Sequence, residues 1–159
     1  MKAKEGVVEL LNAALTTELT AVNQYFLAAK MCANWGFGRL HDKFRSLSFE
    51  EMKDTESLIE HILYLEGLPN LQRLNRILVG ENVSEMLQAG LQLEHGAVEA
   101  LRGAIEHCAR VADYTTRSMF EEMIRGEETH VDWFETQLET IRVVGLERYL
   151  SQQIIGDTP

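Results

Sequence analysis

The chain has 159 residues, of which 45% are hydrophobic and two are proline. This is enough for one domain with a sizeable core, and the scarcity of proline leaves room for long uninterrupted helices. Asp and Glu number 25 against 15 for Lys and Arg, and the resulting net charge of −10 argues against nucleic-acid phosphates or an anionic membrane surface as partners, while being compatible with cations as cargo.

The N-terminal segment has charged residues among its apolar ones, so it lacks the continuous apolar core of a signal peptide. No run of apolar residues is long enough to predict a membrane-spanning helix. We therefore expect a cytoplasmic protein. Cys32 and Cys108 have no CxxC spacing and fall on apolar stripes, so we expect both to be core thiols.

Apolar residues that recur at steps of three and four predict four long helices. The first runs from about Lys4 to Asn34 and ends at "WGFG", and the second covers about Leu40 to Glu66. The segment "GLPNLQRLNRILVGEN", about 16 residues long, contains glycines and a proline that make a regular helix unfavourable. It predicts a long linker between the second and third helices.

The third helix starts near Asn82, whose side chain can cap it together with Glu85, and the fourth spans about Tyr114 to Val144. Gly145 predicts a stop, and "LERYLSQQI" predicts a short fifth helix before a polar tail. Short turns join the first helix to the second and the third to the fourth, so each of these pairs is antiparallel. The long linker lets the third helix run along the second. The prediction is an all-α antiparallel four-helix bundle with one long crossover over residues 1–145, with residues 146–159 as a fifth helix and tail of the same domain.

Ionisable residues interrupt each apolar stripe near the middle of its helix. They would converge at one level of the bundle, and they are Glu18, Glu51, Asp54, Glu94, Glu127 and His130. Unpaired carboxylates in a dry core are costly and repel one another, so a positive charge is expected among them. No Lys or Arg occupies a matching core position.

Two divalent cations would supply that positive charge. Di-iron bundles use a Glu from each of two helices and a Glu-x-x-His pair from each of the other two. Here the single glutamates are Glu18 and Glu94, and "EETH" supplies the pair Glu127 and His130. The alternative reading is a structural bundle with hydrogen-bonded buried carboxylates and no metal.

Several segments carry a resemblance that covers nearly the whole chain. They are "ELTAVNQYFLAAKM", "EEMKDTESLIEHILYLEGLPNLQ", "GENVSEML" and "EETHVDWFETQLETI". The chain resembles the bacterioferritins. The resemblance implies a ferritin-like fold, a shell of 24 subunits built from twofold dimers, and a ferroxidase di-iron centre in each bundle that oxidises Fe(II). It also implies storage of ferric mineral, b-type haem between subunits, and a ferredoxin that delivers electrons through the haem to the ferric core.

A second apolar face runs along the first two helices. On the second helix, Met52 lies about 100° around from Glu51 and shares its direction with Phe49, Ile59 and Leu63. Such a face predicts a buried partner, most simply a twofold dimer interface. Met52 could merely pack there, but the resemblance makes it a haem axial ligand, with one haem b held by Met52 from each subunit of a pair. The residues expected around that haem are Leu19, Asn23, Phe26 and Phe49.

The sequence departs from the bacterioferritin pattern at three positions. Asp54 stands where the family usually has His, and Ser46 and Glu50 stand where some members use His and Asp at an additional inner-surface iron site. Five carboxylates and one His around two Fe(II) leave one excess negative charge, which should favour ferric iron and loosen one metal position. The changes at Ser46 and Glu50 argue against the additional site.

Two other readings of the function remain open at this point. In the first, the chain is a haem-carrying electron-transfer and shell subunit whose oxidation centre is impaired by Asp54, and it co-assembles with a second, competent subunit type. In another, it is a di-iron oxidase of an organic substrate, against which Met52 and the second apolar face speak. Tyr25 also has two readings, as a packing residue or as a hydrogen-bond or electron donor near the centre.

Overall fold

Five α-helices make up most of residues 1–154, the part of the chain that the computed structural model describes. They are α1 (Val7–Asn34), α2 (Gly38–Tyr64), α3 (Val83–Arg110), α4 (Tyr114–Val144) and α5 (Leu146–Ser151). The helices α1 and α2 form one packed pair, and α3 and α4 form the other. The predicted all-α, ferritin-like bundle with one long crossover and a short fifth helix is confirmed.

The long crossover is held along α1 by polar side chains of that helix. The backbone N–H groups of Asn70 and Asn75 donate to Asn12 Oδ1 at 2.8 Å and to Thr20 Oγ1 at 2.9 Å. Gln24 Oε1 accepts from the N–H of Leu78. Because the linker follows α1, α3 packs against α1 and α4, and not along α2 as the sequence suggested.

The helix ends follow the local signals in the sequence. Asn82 Oδ1 accepts from the N–H of Glu85 at 3.0 Å, so the predicted cap of α3 is present. The Glu85 carboxylate reaches back to the N–H of Glu81, one residue before the cap. Gly145 has φ 88°, a left-handed conformation that favours glycine, and it separates α4 from α5 as predicted.

The apolar core has two parts with a polar layer between them. One part gathers around the aromatic rings of Tyr25, Phe44 and Phe134, and the other contains Leu58 and Phe120. On every long helix, the buried ionisable residues fall in sequence between the residues of the two parts. This layer is where the predicted metal site lies.

The remaining predictions about the fold have mixed outcomes. Cys32 and Cys108 are buried, as expected for core thiols. The short α5 ends at Ser151, before the end of the predicted "LERYLSQQI" helix, and Tyr149 anchors it in the core. The part of the predicted tail after residue 154 lies outside the described residues. No helix between residues 1 and 154 combines the length and apolar character needed to cross a membrane.

Candidate metal centre

The six predicted site residues meet at the polar layer of the bundle. Five are buried, namely Glu18, Glu51, Glu94, Glu127 and His130, and Asp54 is partly exposed. Each helix of the bundle contributes because its stripe places one side chain, or an i, i+3 pair one turn apart, on the inward face. The i, i+3 pair Glu127 and His130 comes from α4.

The ligand atoms form two overlapping groups. Glu51, Glu94, Glu127 and His130 each offer an atom within 4.8 Å of the others. The same distance limit also joins Glu18, Glu51, Asp54 and Glu127. Because Glu51 and Glu127 belong to both groups, they stand where they could bridge two metal ions. The Asp54 carboxylate therefore reaches the centre, although it is shorter than a His side chain.

Several polar atoms at the centre are buried without a hydrogen-bond partner. They are Glu18 Oε2, both carboxylate oxygens of Glu51, and His130 Nδ1. His130 Nδ1 lies 3.1 Å from Glu51 Oε1, but the two atoms are not aligned as a hydrogen bond. Native proteins rarely leave buried polar atoms unpaired, because each one costs about 1–3 kcal/mol. A cation among these atoms would satisfy all of them, so the donor set fits two hard or borderline divalent metals.

The His130 ring is oriented by a residue that the sequence analysis did not assign to the centre. Its Nε2 lies 2.8 Å from Glu50 Oε2, and its Nδ1 faces Glu51 Oε1 at 3.1 Å. When Nε2–H donates to Glu50, the lone pair of Nδ1 points toward the carboxylates and is free for a metal. Ser46 Oγ donates to the other Glu50 oxygen at 3.3 Å. The two residues at the positions of the family's inner-surface site thus support His130.

Tyr25 both packs in the core and donates a hydrogen bond at the centre, while its role as an electron donor stays a prediction. Its ring packs against Phe134 with centroids 5.8 Å apart and against Phe44 at 6.1 Å. Its hydroxyl donates a hydrogen bond to Glu94 Oε1. This hydrogen bond fixes one oxygen of a buried carboxylate at the edge of the centre.

Burial and neighbouring negative charge shift the pKa values of several carboxyl groups at the centre upward, whereas hydrogen bonds and the His130 charge lower that of Glu127. Burial, followed by repulsion from Glu127 and Glu51, raises the pKa of Glu18 well above its ordinary value, and burial also raises the pKa of Glu94. Burial and the Glu51 charge raise the pKa of Asp54 to about 6. Metal binding would displace protons from these groups, because metals bind the deprotonated carboxylates.

The carboxylates around His130 favour its protonated form in the metal-free protein. Burial alone would lower its pKa, but the carboxylates of Glu127, Glu51 and Glu94 around it outweigh that effect and raise its pKa. A metal would replace the Nδ1 proton and leave a neutral imidazole donor.

The second apolar face is exposed in the isolated subunit. Met52 is 40% exposed, and the rings of Phe26 and Phe49 are each nearly half exposed. Leu19 is partly buried beside them, and Asn23 Nδ2 donates to the carbonyl of Leu19. An exposed thioether among aromatic rings fits a large apolar ligand that has a metal needing an axial sulfur donor.

Comparison with known proteins agrees with this geometry. A family model described as ferritin-like domain matches residues 8–144. The chain is 43% identical over 152 residues to a bacterioferritin of Mycobacterium avium, covering 96% of both chains. It is 44% identical over 159 residues to a bacterioferritin of Streptomyces coelicolor, covering 100% of this chain and 95% of that protein. It is 42% identical over 149 residues to a bacterioferritin of Brucella melitensis, covering 94% and 92%. With a matching ferritin-like domain and relatives of this similarity along nearly its whole length, the chain belongs to the bacterioferritins.

Proposed function

We propose that this protein stores iron and that its centre is a ferroxidase site that takes Fe(II) as substrate. One Fe(II) would bind at Glu51, Glu94, Glu127 and His130, and the other at the all-carboxylate group that contains Glu18 and Asp54. The observation that carries the proposal is the set of buried polar atoms without partners at the meeting point of all four helices. A purely structural bundle would have paired those atoms with hydrogen bonds.

The reaction we propose is a two-electron oxidation. Two Fe(II) ions each lose one electron, and dioxygen accepts both electrons with two protons and leaves as hydrogen peroxide. With peroxide as the oxidant, the same two electrons and two protons yield two molecules of water. The pKa values of Glu18 and Glu94 are raised by burial, so Fe(II) binding should displace protons from these carboxyl groups. The ferric ions then leave for the mineral as hydrated oxide.

The decisive experiment compares the wild-type homopolymer with Asp54→His. The metal-free protein is loaded with Fe(II) in air, and the initial rate of Fe(III) formation is followed by absorbance. A rate within about two-fold of the variant's would show that Asp54 supports oxidation. Asp42→His, an exposed change on the same helix, is the matched control for the effect of an added imidazole. An absence of rapid oxidation in the wild type and in Asp54→His would contradict the ferroxidase proposal.

We also propose that the exposed apolar face binds haem b between two subunits, with Met52 of each subunit as axial ligand. Leu19, Asn23, Phe26 and Phe49 would line the pocket. A haem bound by two thioethers supplies one-electron transfer. The chain's own contribution is an exposed sulfur on a rigid helix, with flanking rings that exclude water from the bound group.

The haem proposal has a spectroscopic test. Met52→Leu should abolish the b-type absorption spectrum, and Met119→Leu, a change on α4, should leave it intact. A full b-type spectrum in purified Met52→Leu protein would defeat the assignment of Met52.

The assembly that we propose is a cytoplasmic shell of 24 subunits, built from twofold dimers that share the apolar face. A ferredoxin is the proposed electron donor for iron release. The exposure of that face in the single subunit is the supporting argument, because large exposed apolar patches mark interfaces. Sedimentation of the purified protein tests the size directly, and a stable monomer would exclude the shell.

A second candidate function is a haem-bearing companion subunit with an impaired oxidation centre, which co-assembles with a competent subunit type. It is favoured by the fifth carboxylate, Asp54, because two Fe(II) do not neutralise five carboxylates. The reach of Asp54 into the centre speaks for the ferroxidase instead. A large gain of initial rate in Asp54→His, with Asp42→His unchanged, would support the companion subunit.

A further inference from the structure

A groove between α1 and α3 leads from the protein surface to the metal centre. Ala13 and Ala100 stand at its exposed mouth, and the buried Glu18 lies at its inner end. The groove has a volume of about 70 Å³ open to a water-sized molecule. A single water needs only about 10–15 Å³ measured in this way, so there is room for a small molecule. We call this space the α1/α3 groove.

The walls of the α1/α3 groove are alkyl groups. They come from Leu10 and Ala14 on α1 and from Ala97, Leu101 and Ala104 on α3. Thr17 also lines the groove, but its hydroxyl donates to the carbonyl of Ala13 at 3.3 Å and is thereby satisfied. Because most of these side chains are the short methyl groups of alanine, they do not fill the space between the two helices.

One buried ionisable residue, Glu18, is part of the lining of this apolar space. Glu18 is 2% exposed, and its Oε2 makes no hydrogen bond. Glu18 also belongs to the all-carboxylate metal group. The α1/α3 groove therefore ends at a prospective ligand of the centre, and a molecule inside it would approach one metal position directly.

The opposite edge of the bundle, between α2 and α4, has the reverse chemistry. A cleft of about 330 Å³ there is lined by three carboxylates, Glu50, Asp54 and Glu122, and also by Lys53 and His130. Carboxylates at a solvent-open cleft attract cations and stabilise them. In an alkyl-lined groove, Fe(II) would lose its water ligands and find no polar atoms to replace them. The cleft therefore suits the metal ion, and the groove suits an apolar molecule.

We propose that the α1/α3 groove is the binding and entry site of dioxygen. This inference rests on the proposed ferroxidase function. Dioxygen is small, uncharged and apolar, and dry apolar cavities in proteins bind such molecules, xenon included. Iron enters through the α2/α4 cleft, and its oxidant arrives at Glu18 from the other side, so the two reactants do not compete for one path.

The first test uses xenon, a heavy apolar gas that reports the site without any iron chemistry. Crystals of the metal-free protein under xenon pressure should show one xenon atom in the α1/α3 groove. Ala97→Leu should remove it by filling the space with a larger side chain. Ala109→Leu, an exposed change on the same helix outside the groove, should retain it. A groove without xenon in the wild type would overturn the proposal.

The second test measures the dependence of Fe(II) oxidation on dioxygen concentration. Ala97→Leu and the mouth variant Ala100→Leu should raise the KM for dioxygen several-fold, and Ala109→Leu should match the wild type. Anaerobic Co(II) binding should be the same in all four proteins. An unchanged KM in a variant that has lost xenon would overturn the proposal, and so would a loss of Co(II) binding, which would identify the groove as part of the metal site.

The two tests separate this inference from the function on which it rests. A wild type that holds xenon in the groove yet oxidises no Fe(II) at any dioxygen concentration would overturn the proposed function, and dioxygen delivery with it. A wild type that oxidises Fe(II) normally but holds no xenon would overturn the groove alone.

Discussion

Glu50 shows how a half-exposed residue can determine the behaviour of a buried one. It contributes no atom to either ligand group, yet its carboxylate accepts from His130 Nε2 and so selects the ring nitrogen that faces the metal. Its second oxygen is engaged by Ser46. Ser46 and Glu50 thus orient a prospective metal ligand, His130. These are the positions where some members of the family are expected to have a separate iron site.

Replacement of Glu50 tests this support at the residue scale. Glu50→Ala frees the His130 ring to rotate or change tautomer, and we expect Co(II) affinity at the His130 position to fall by about 10–100-fold. The Co(II) affinity of Glu50→Gln, which keeps an acceptor oxygen, should lie between those of the wild type and Glu50→Ala. Anaerobic titration with Co(II), followed by its visible absorption, measures the affinity of each position.

Glu56→Ala is the matched control, because Glu56 is an exposed glutamate on the same helix. It should titrate like the wild type. Equal Co(II) affinity in Glu50→Ala and Glu56→Ala would show that the ring is held by packing alone.

The convergence of the candidate ligands was predictable from the sequence, and the contact that orients His130 was not. Glu18, Glu51, Glu94 and the pair from α4 lie on helical stripes, so periodicity alone brings them together. Glu50 lies off the stripe of α2, and its hydrogen bond to His130 crosses between helices 80 positions apart in the chain. Such a contact depends on side-chain reach and on the distance between helices, which no periodic pattern records.

At the scale of helices, Gly90 controls the approach of α3 to α4. A Cβ atom at this position would lie 2.4 Å from the ring of Phe134, which is fully buried and packed edge-on to Trp133. No real Cβ contact is that short, and the ring has no free space to move into. The close packing of α3 on α4 beside the centre therefore requires glycine here.

Substitution of this glycine has a matched control on the same helix. Gly90→Ala should destabilise the protein by about 1–3 kcal/mol through overpacking. A Cβ at Gly96 meets no atom within 4 Å, so Gly96→Ala should stabilise α3 by up to about 1 kcal/mol through helix propensity. Chemical denaturation of the two metal-free variants measures both changes. A Gly90→Ala protein as stable as Gly96→Ala would mean that Phe134 adapts at no cost.

The bounds of the helices could be predicted closely from the sequence. Which helices pack against each other could be predicted less well. The bounds of α4 and the cap of α3 agree with their local signals. At the start of α1, Val7 is fully buried and Val8 is only partly buried, so the inward stripe of this helix begins at Val7. The position of α3 beside α1 depends on hydrogen bonds between the linker and Asn12, Thr20 and Gln24, and a polar side chain on a helix carries no signal of which loop it will hold.

At the scale of the whole molecule, the core contains a layer of ionisable groups between two apolar clusters. Ionisation of the carboxyl groups in this layer should destabilise the fold unless a metal ion binds them. The pH dependence of stability should therefore change sign when metal binds, which gives a test that does not depend on any oxidation chemistry.

In the metal-free protein, the folded state binds more protons than the unfolded state above pH 5. Glu18 and Glu94 have raised pKa values, and the pKa of Asp54 is about 6 against 3.8 for the free group. His130 also retains its proton beyond its ordinary pKa. Groups with a raised folded pKa stabilise the protein below their unfolded pKa and lose that effect as pH rises through the folded one. Stability of the metal-free protein should therefore fall between pH 5 and pH 8.

Metal reverses this slope, because a divalent ion binds the deprotonated carboxylates and the neutral imidazole, and both become more available as pH rises. We expect the Tm of chelator-treated protein to be lower at pH 7.5 than at pH 5.5. The Tm of Zn(II)-loaded protein should instead be higher at pH 7.5 than at pH 5.5. Each kcal/mol corresponds to about 2–4 °C for a chain of this size. Calorimetry at both pH values measures the change, and the double variant Glu18→Gln/Glu94→Gln should flatten the metal-free slope because two of the titrating groups are gone. A metal-free Tm that rises with pH in the wild type would mean that these carboxyl groups ionise freely, and the argument that the layer requires a cation would fail with it.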